Sequence, residues 1–263
     1  MNVIPAAVHA DADFAKYAES GAYHWREIGR GLLTHNAFTA ERYRRVIDRA
    51  ALLPGHRVLD YGCGDGALLG MLHRACRRQP CELHGFDPNP LAVRLAAAAL
   101  KSHAVPAILH ESSTALPHGY FDRVICTEVI EHTSAPDDLV ADLARVLKPG
   151  GRLVVTTPVR LTEAPEDCNH VREWFPREFA QIFGETRWRV LTHEQVVPAA
   201  APEVYFWRPI VLARVPVFRL LCNLLSMCGV NALSWLRMRP RLFMMQILVA
   251  EKPAITTRDQ SWD

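Results

Sequence analysis

The sequence predicts a doubly wound α/β domain on a mostly parallel seven-stranded sheet, with a helical segment inserted before the last strand. Three observations predict it. Short apolar strands alternate with helical stretches from residue 57 to 197, the pattern of βαβ units whose helices cover both sheet faces. A glycine-rich turn, Asp60-Tyr61-Gly62-Cys63-Gly64-Asp65-Gly66, joins the first strand to the next helix. The last apolar run, FMMQILV from Phe243, suits a strand in the sheet interior.

Taken in order, residues 1–54 read as an N-terminal helical cap. They carry the aromatic patch Tyr23-His24-Trp25, and the spacing Phe38, Tyr43, Val46, Ile47, Ala50 predicts an amphipathic helix over 39–53, stopped by Pro54-Gly55. Residues 55–197 form the expected core. It runs strand 57–60, helix 68–77, strand 82–86, helix 91–100, strands 107–110 and 122–126, and helix 137–146. The turn Lys148-Pro149-Gly150-Gly151, strand 152–156, helix 176–183 and strand 188–197 complete it. Residues 198–241 make a stretch of 44, far beyond the usual connection of roughly 4–6 residues, so an inserted subdomain is expected. Residues 242–253 return as the last core strand and 254–263 form a tail.

Composition narrows the class. The 263 residues are 49% apolar and 22% charged, which excludes intrinsic disorder, collagen-like repeats and a disulfide mini-scaffold. Seven cysteines without any C-x-x-C spacing write neither a zinc site nor a disulfide framework; buried thiols in a reducing cytosol are expected. The N-terminus MNVIPAAVHADADFAKY lacks a basic n-region, so no secretory signal is expected and the chain reads as cytoplasmic. Net charge is +2, too small to draw the chain globally to nucleic acid. That balance conceals a segregation. Residues 204–250 contain six arginines (208, 214, 219, 237, 239 and 241) and no acid, against −4 elsewhere.

The glycine turn points to a ligand beyond the carboxyl ends of the strands. Asp87 closes the second strand 21 residues after Gly66, placed to accept hydrogen bonds from a ribose. Gly62, Gly64 and Ala67 also satisfy the dinucleotide pattern G-x-G-x-x-A. The charges argue otherwise, because Asp60 and Asp65 would face a pyrophosphate with two carboxylates. A ligand with cationic centres fits better, such as the sulfonium and ammonium of S-adenosylmethionine. The alternative is a ligand-free glycine turn.

The runs VLDYGCGDG, GFDPNP, LPHGYFDRVICTEVIEH and LKPGGRLVVTTP, in that order over residues 55–197, resemble class I S-adenosylmethionine-dependent methyltransferases, whose fold is Rossmann-like. The resemblance implies that Asp60, Gly62, Cys63 and Gly64 hold the methionine part and Asp87 the ribose hydroxyls. It places Pro88 on the adenine and Ser112 or Ser113 at its amino edge, where many relatives have Asp, and counts Cys126 on the cofactor side.

Strand four ends at Cys126-Thr127-Glu128, which puts Glu128, Glu131 and His132 at the mouth of the sheet. On a helical turn these positions, i, i+3 and i+4, share a face. Two carboxylates and an imidazole there can bind a divalent cation, Mg or Mn, or supply general bases. For a hydroxyl acceptor the chemistry needs alignment plus proton removal, and a metal would assist by lowering the acceptor's pKa. The pentad Glu128-Val129-Ile130-Glu131-His132 resembles two metal-using groups, the small-RNA 3′-terminal 2′-O-methyltransferases and the ubiquinone-biosynthesis O-methyltransferases. In the first a later His completes the site, for which His170 is the candidate. In metal-independent relatives the equivalent His is a general base or caps the following helix, and Glu128 can instead bond loop amides.

The segments GAYHWRE and TPVRLTEAP…HVREWFPREF resemble bacterial methyltransferases of surface-polysaccharide and glycolipid assembly. That resemblance implies a sugar hydroxyl acceptor and adds His24, Arg160, Glu163 and His170 on the acceptor side. Tyr23-His24-Trp25 would then be a lid, or else an aromatic patch packing the N-terminal helix; Trp174 and Phe175 read as packing residues.

Within the insertion Leu220–Leu236 is an uncharged run of 17 residues, short of the roughly 20 a membrane-spanning helix needs. Arg219, Asn223 and Ser226 fall on one helical stripe, opposite Phe218, Leu221, Leu224, Leu225 and Cys228. Such a helix can lie peripherally on an anionic inner-membrane surface. The alternative has its apolar side roof the pocket or form a homodimer interface. The expected activity is O-methylation of a sugar or lipid-linked glycan hydroxyl. RNA 2′-O-methylation, quinone O-methylation and a non-catalytic cofactor-binding module are the rivals, and a nucleic-acid partner is disfavoured because the arginines interleave with bulky apolar residues.

Overall fold

The computed structural model describes residues 16–163, 165, 167, 169–184, 188–198, 201–206, 217–235 and 243–254. Five of the six arginines of the basic segment, Cys168, the first 15 residues and most of the tail lie outside them. The expected sheet is present. Strands β1 (Arg57–Tyr61), β2 (Glu82–Phe86), β3 (Ile108–His110), β4 (Phe121–Thr127), β5 (Leu147–Pro158), β6 (Arg189–Pro198) and β7 (Phe243–Glu251) are arranged in the order β3-β2-β1-β4-β5-β7-β6. The first five pair in parallel, whereas β7 runs antiparallel to both β5 and β6. The apolar FMMQILV run therefore sits inside the sheet, as its composition requires. The Lys148–Gly151 turn differs from expectation, since it is drawn into β5, with Gly150 at φ +74°.

Helices α1 (Lys16–Ser20), α2 (Tyr23–Glu27) and α3 (Ala37–Ala50) precede the sheet. Asn36 caps α3 by accepting from the Phe38 and Thr39 amides at 3.0 and 3.5 Å. The helix stops three residues before Pro54-Gly55 begins, because its last carbonyls are taken elsewhere. Arg123 donates to Ala50 and Ala51 at 2.6 and 3.1 Å and Arg152 to Arg49 at 3.2 Å, while Ala51 turns left-handed. Helix α4 (Ala67–Ala75) follows the glycine turn, α5 (Pro90–Ser102) starts on an Asn89 cap, and α6 (Pro136–Val146) and α7 (Pro176–Ile182) follow β4 and β5. One core lies under α3, α4 and α5 and includes Val58, Leu69, Val46 and Ile247. The other lies under α6 and α7 and includes Leu59, Val124, Leu143, Trp174 and Phe179.

The insertion holds α8 (Ala201–Phe206) and α9 (Val217–Met227), and α9 is oriented opposite to the roofing alternative. The polar stripe faces inward. Asn223 is fully buried, donating to the Leu32 and His35 carbonyls at 2.9 and 2.8 Å and accepting from the Tyr205 hydroxyl. Ser226 is buried against His35 and Arg44. The apolar stripe points out, with Phe218, Leu221 and Leu224 exposed by 42, 50 and 51%. Unsatisfied backbone carbonyls in the α2–α3 loop decide this, since leaving them buried without donors costs more than leaving apolar carbon wet. Asn223→Ala is accordingly expected to destabilise the fold by about 2–4 kcal/mol, read as a lower urea midpoint, whereas Leu224→Ser is expected to change it little.

The thiols are mostly inside as expected: Cys63, Cys76, Cys126 and Cys222 are buried, while Cys228 is exposed and Cys81 partly so. The C-x4-C spacing brings Cys76 and Cys81 together as thiols 3.0 Å apart, which sequence spacing did not announce.

Candidate functional site

The carboxyl ends of β1, β2 and β4 surround a cavity of about 550 Å³. Gly62 enters it at φ +82°, its amide and that of Cys63 donating to the Phe86 carbonyl at 2.7 and 2.8 Å. A Cβ there would drive into Val129, so the backbone's approach requires glycine. Asp87 lies opposite. Its two oxygens accept from the Gly64 and Asn89 amides at 2.8 and 2.9 Å, and each retains a lone pair for a further donor. Asp60, Gly62, Cys63, Gly64, Asp87 and Pro88 all line this cavity.

Asp60 is buried, and its Oδ1 has no hydrogen-bond partner among the described residues. Burial, then the charges of Asp87 and Asp65, push its carboxyl up to about 8. Such a group invites a donor of positive charge. A cationic ligand stabilises the ionised form, so its affinity is expected to rise as pH is raised toward 8 and level off above. Calorimetry in buffers of differing ionisation enthalpy checks this: below pH 8 the wild type should release up to about one proton on binding S-adenosylmethionine, and Asp60→Asn should not.

Three expected cofactor residues lie elsewhere. Ser112 is exposed, closing onto Thr114 at 2.8 Å within a 3₁₀ turn, and the Ser113 carbonyl is held by Arg145. Neither is among the residues lining the cavity. Cys126 is fully buried in the α6-side core with Val124, two positions before it on the same strand face.

The pentad after β4 also departs from the predicted turn. Only Ile130–His132 is helical, as a 3₁₀ turn, and Glu128 sits outside it in the left-handed region at φ +54°. Glu128 is directed to Arg42 at 3.1 Å and Thr156 at 2.8 Å, so it does not join the other two. Its left-handed backbone stores strain that these partners hold in place. Glu131, His132 and His170 do converge, with one ligand atom of each within 4.8 Å of the others. Glu131 is fully buried; its Oε2 accepts from Thr157 at 3.0 Å and its Oε1 has no partner. Burial and the charge of Glu128 hold its carboxyl well above the usual range. His132 Nδ1 lies 2.8 Å from the Asn169 carbonyl, which leaves Nε2 as the basic nitrogen, and burial lowers its pKa. His170 Nδ1 meets Glu173 at 2.7 Å in the same manner.

The aromatic patch is divided between the cavity wall and the packing beneath it. Tyr23 and His24 line the cavity, His24 bonding Asp65 through its amide at 2.9 Å and its ring at 3.3 Å. Trp25 is buried over Gly70 and donates to the Asp65 carbonyl at 2.7 Å. Arg160 is turned away, donating to the Thr162 and Glu163 carbonyls beside Phe175, and Glu163 is exposed outside the cavity. Sequence reasoning missed Tyr17, Arg42, Tyr43, Asp167 and Asn169, all of which line the cavity. The one available signal was Arg42, which stands a helical turn from Phe38 on the flank of the α3 apolar stripe.

A second cavity, about 720 Å³, adjoins the first. It shares Arg42, Glu128, Asp167 and His170 with it and is otherwise mainly apolar, with Phe38, Val159, Leu161, Phe206, Met244 and Met245.

Residues 34–195 match a family model described as a methyltransferase domain. Among curated relatives, a ubiquinone biosynthesis O-methyltransferase of Rhodopseudomonas palustris (strain BisA53) is 31% identical over 193 residues, 66% of this chain and 73% of that one. Another, from Thiobacillus denitrificans, is 33% identical over 150 residues, covering 56% of this chain and 62% of that one. The fold is shared with phosphoethanolamine N-methyltransferase 2 of Haemonchus contortus at a TM-score of 0.64 and 18% identity, covering 95% of this chain and 61% of that one. It is also shared with geranyl diphosphate C-methyltransferase of Streptomyces coelicolor, at 0.59 and 15%, covering 81% and 79%.

Proposed function

Because the chain belongs to the methyltransferase-domain family and is an S-adenosylmethionine-dependent methyltransferase, we propose that it O-methylates a hydroxyl carried on an apolar body, of which a prenylated phenol on the way to a quinone is the best-fitting class. The observation that carries this is the junction of the two cavities. A polar chamber bordered by Asp60 and Asp87 meets an apolar one at Arg42, Glu128 and His170, next to His132.

S-adenosylmethionine supplies an electrophilic methyl group on a sulfonium. Its fit rests on the orphaned Asp60 Oδ1 for a cationic centre and on the Asp87 lone pairs for ribose hydroxyls. On the acceptor side the hydroxyl oxygen gains the methyl and loses its proton to His132 Nε2, which the Asn169 carbonyl keeps in the correct tautomer. Glu128, clamped by Arg42, borders both chambers and positions the acceptor.

A lipid-linked glycan hydroxyl is the second reading. It draws on the GAYHWRE and HVREWF segments, of which His24 and His170 line the cavity. Both classes present a hydroxyl from an apolar carrier, and a direct assay separates them. With methyl-labelled S-adenosylmethionine, a polyprenyl phenol should be methylated, and trimming its chain should lower kcat/KM at least about tenfold. Label transferred to a lipid-linked glycan alone selects the second reading; transfer equal for tailed and tailless acceptors overturns both.

A divalent cation also fits Glu131, His132 and His170. Glu131 brings a carboxylate with one orphaned oxygen to within reach of two imidazoles whose Nδ1 atoms are held by the Asn169 carbonyl and Glu173, the outer-shell pattern that orients histidine ligands. One carboxylate with two imidazoles suits Mn better than Mg. Such an ion would take up the His132 Nε2 lone pair, so it would replace the imidazole as base and promote deprotonation by lowering the acceptor hydroxyl's pKa. Elemental analysis of wild type and Glu131→Ala decides: a stoichiometric ion lost in the variant supports the site. No ion above background, with turnover insensitive to EDTA, assigns the cluster to proton transfer alone.

A further inference from the structure

From the outward-facing apolar stripe of α9 we infer that this helix is a membrane-docking face for anionic lipid, which holds the enzyme where a lipid-borne acceptor resides. Val217, Phe218, Leu221 and Leu224 are exposed along the helix, and in the loop that it holds, Leu32 and Leu33, whose carbonyls accept from Asn223 and Arg219, are exposed too, Leu33 by 73%. A helix normally turns its apolar side inward and its polar side to water. Here the polar residues are consumed by the fold and the carbon is outside, an arrangement that water disfavours and an acyl boundary stabilises.

Charge selects the kind of surface. The segment 204–250 has no acid in its sequence. Among the described residues near the face, Arg219 lies over the Tyr205 and Phe206 rings, Arg30 is exposed in the adjoining loop, and Glu41 is neutralised by Arg44 and Arg45 at 3.7 and 2.8 Å. That is the sign an anionic headgroup layer attracts. Phe206 joins this helix to the chemistry, since the Arg219 guanidinium of α9 lies over its ring and it lines the apolar cavity. The docking rests on the face itself, so its failure leaves the acceptor reading untouched.

The test is flotation of the full chain with phosphatidylglycerol-containing vesicles and with pure phosphatidylcholine, comparing wild type and Leu221→Ser/Leu224→Ser. Both substituted side chains are solvent-exposed, so the fold and the affinity for S-adenosylmethionine, measured in parallel by calorimetry, stay unchanged. The expected result is co-flotation of the wild type with anionic vesicles. It should weaken at least about tenfold in the double variant, on neutral vesicles and at high salt. Three results would overturn it: a wild type that stays at the bottom of the gradient, a variant that floats equally well, or a dimer in sedimentation that the double substitution converts to monomer without any vesicle binding.

Discussion

Asp87→Ala is expected to weaken S-adenosylmethionine binding by about 100-fold or more, to below detection in a standard calorimetric titration. Two losses combine. The carboxylate oxygens accept the Gly64 and Asn89 amides at 2.8 and 2.9 Å, so the substitution releases the glycine turn from β2 as well as removing the ribose acceptor. Hydrogen bonds to a charged group contribute about 1.5–3 kcal/mol each, and every 1.4 kcal/mol is tenfold in affinity. Asp87→Asn separates the two roles. It keeps one acceptor oxygen, but its NH2 confronts an amide donor, so an intermediate loss is expected. Circular dichroism and the urea midpoint show whether either variant still folds. A folded Asp87→Ala protein with wild-type affinity sinks the ribose assignment.

The second large effect falls on turnover alone. His132→Ala is expected to reduce kcat by about 10²–10⁴ while leaving cofactor affinity within a few-fold of wild type, the span a lost general base commonly costs. The pH profile supplies an independent reading. Burial lowers the His132 pKa below its ordinary value of 6.5, so the basic form predominates from 6.5 upward and is lost as pH falls through the depressed pKa. Wild-type turnover should therefore be level across neutral pH and fall on the acid side, and the variant's residual rate should lack that limb. Turnover in His132→Ala within about threefold of wild type would remove the imidazole from the reaction.

The strands, the glycine turn and Asp87 were legible because each is a local pattern: period-two apolar runs, a glycine where φ must be positive, an acid at a strand end. Glu128 was misplaced because a left-handed residue breaks the i, i+3, i+4 geometry, and a glutamate gives no notice that its backbone will adopt φ +54°. Tyr17 reaches the cavity from the N-terminal helices by long-range packing, which no spacing in the sequence records, and Arg42 left only its place beside the α3 apolar stripe. The α9 case is the most instructive. Its two stripes were visible, but which one is buried depends on the Leu32 and His35 carbonyls some 190 positions away. Periodicity finds the faces of a helix, and only the partner surface decides which is inside.

The placement of β7 between β5 and β6 also governs when the sheet can be completed. Among the described residues β6 has no strand neighbour except β7, and the segment between them, 199–242, must be synthesised first. At roughly 5–20 residues per second that delay lasts seconds, during which β5 keeps an open edge and β6 has no ladder to join. The chain should therefore emerge from the ribosome with its cofactor half assembled and its last two strands waiting. A pulse of protease on stalled nascent chains would find residues 189–198 cleavable until residue 251 is free of the exit tunnel.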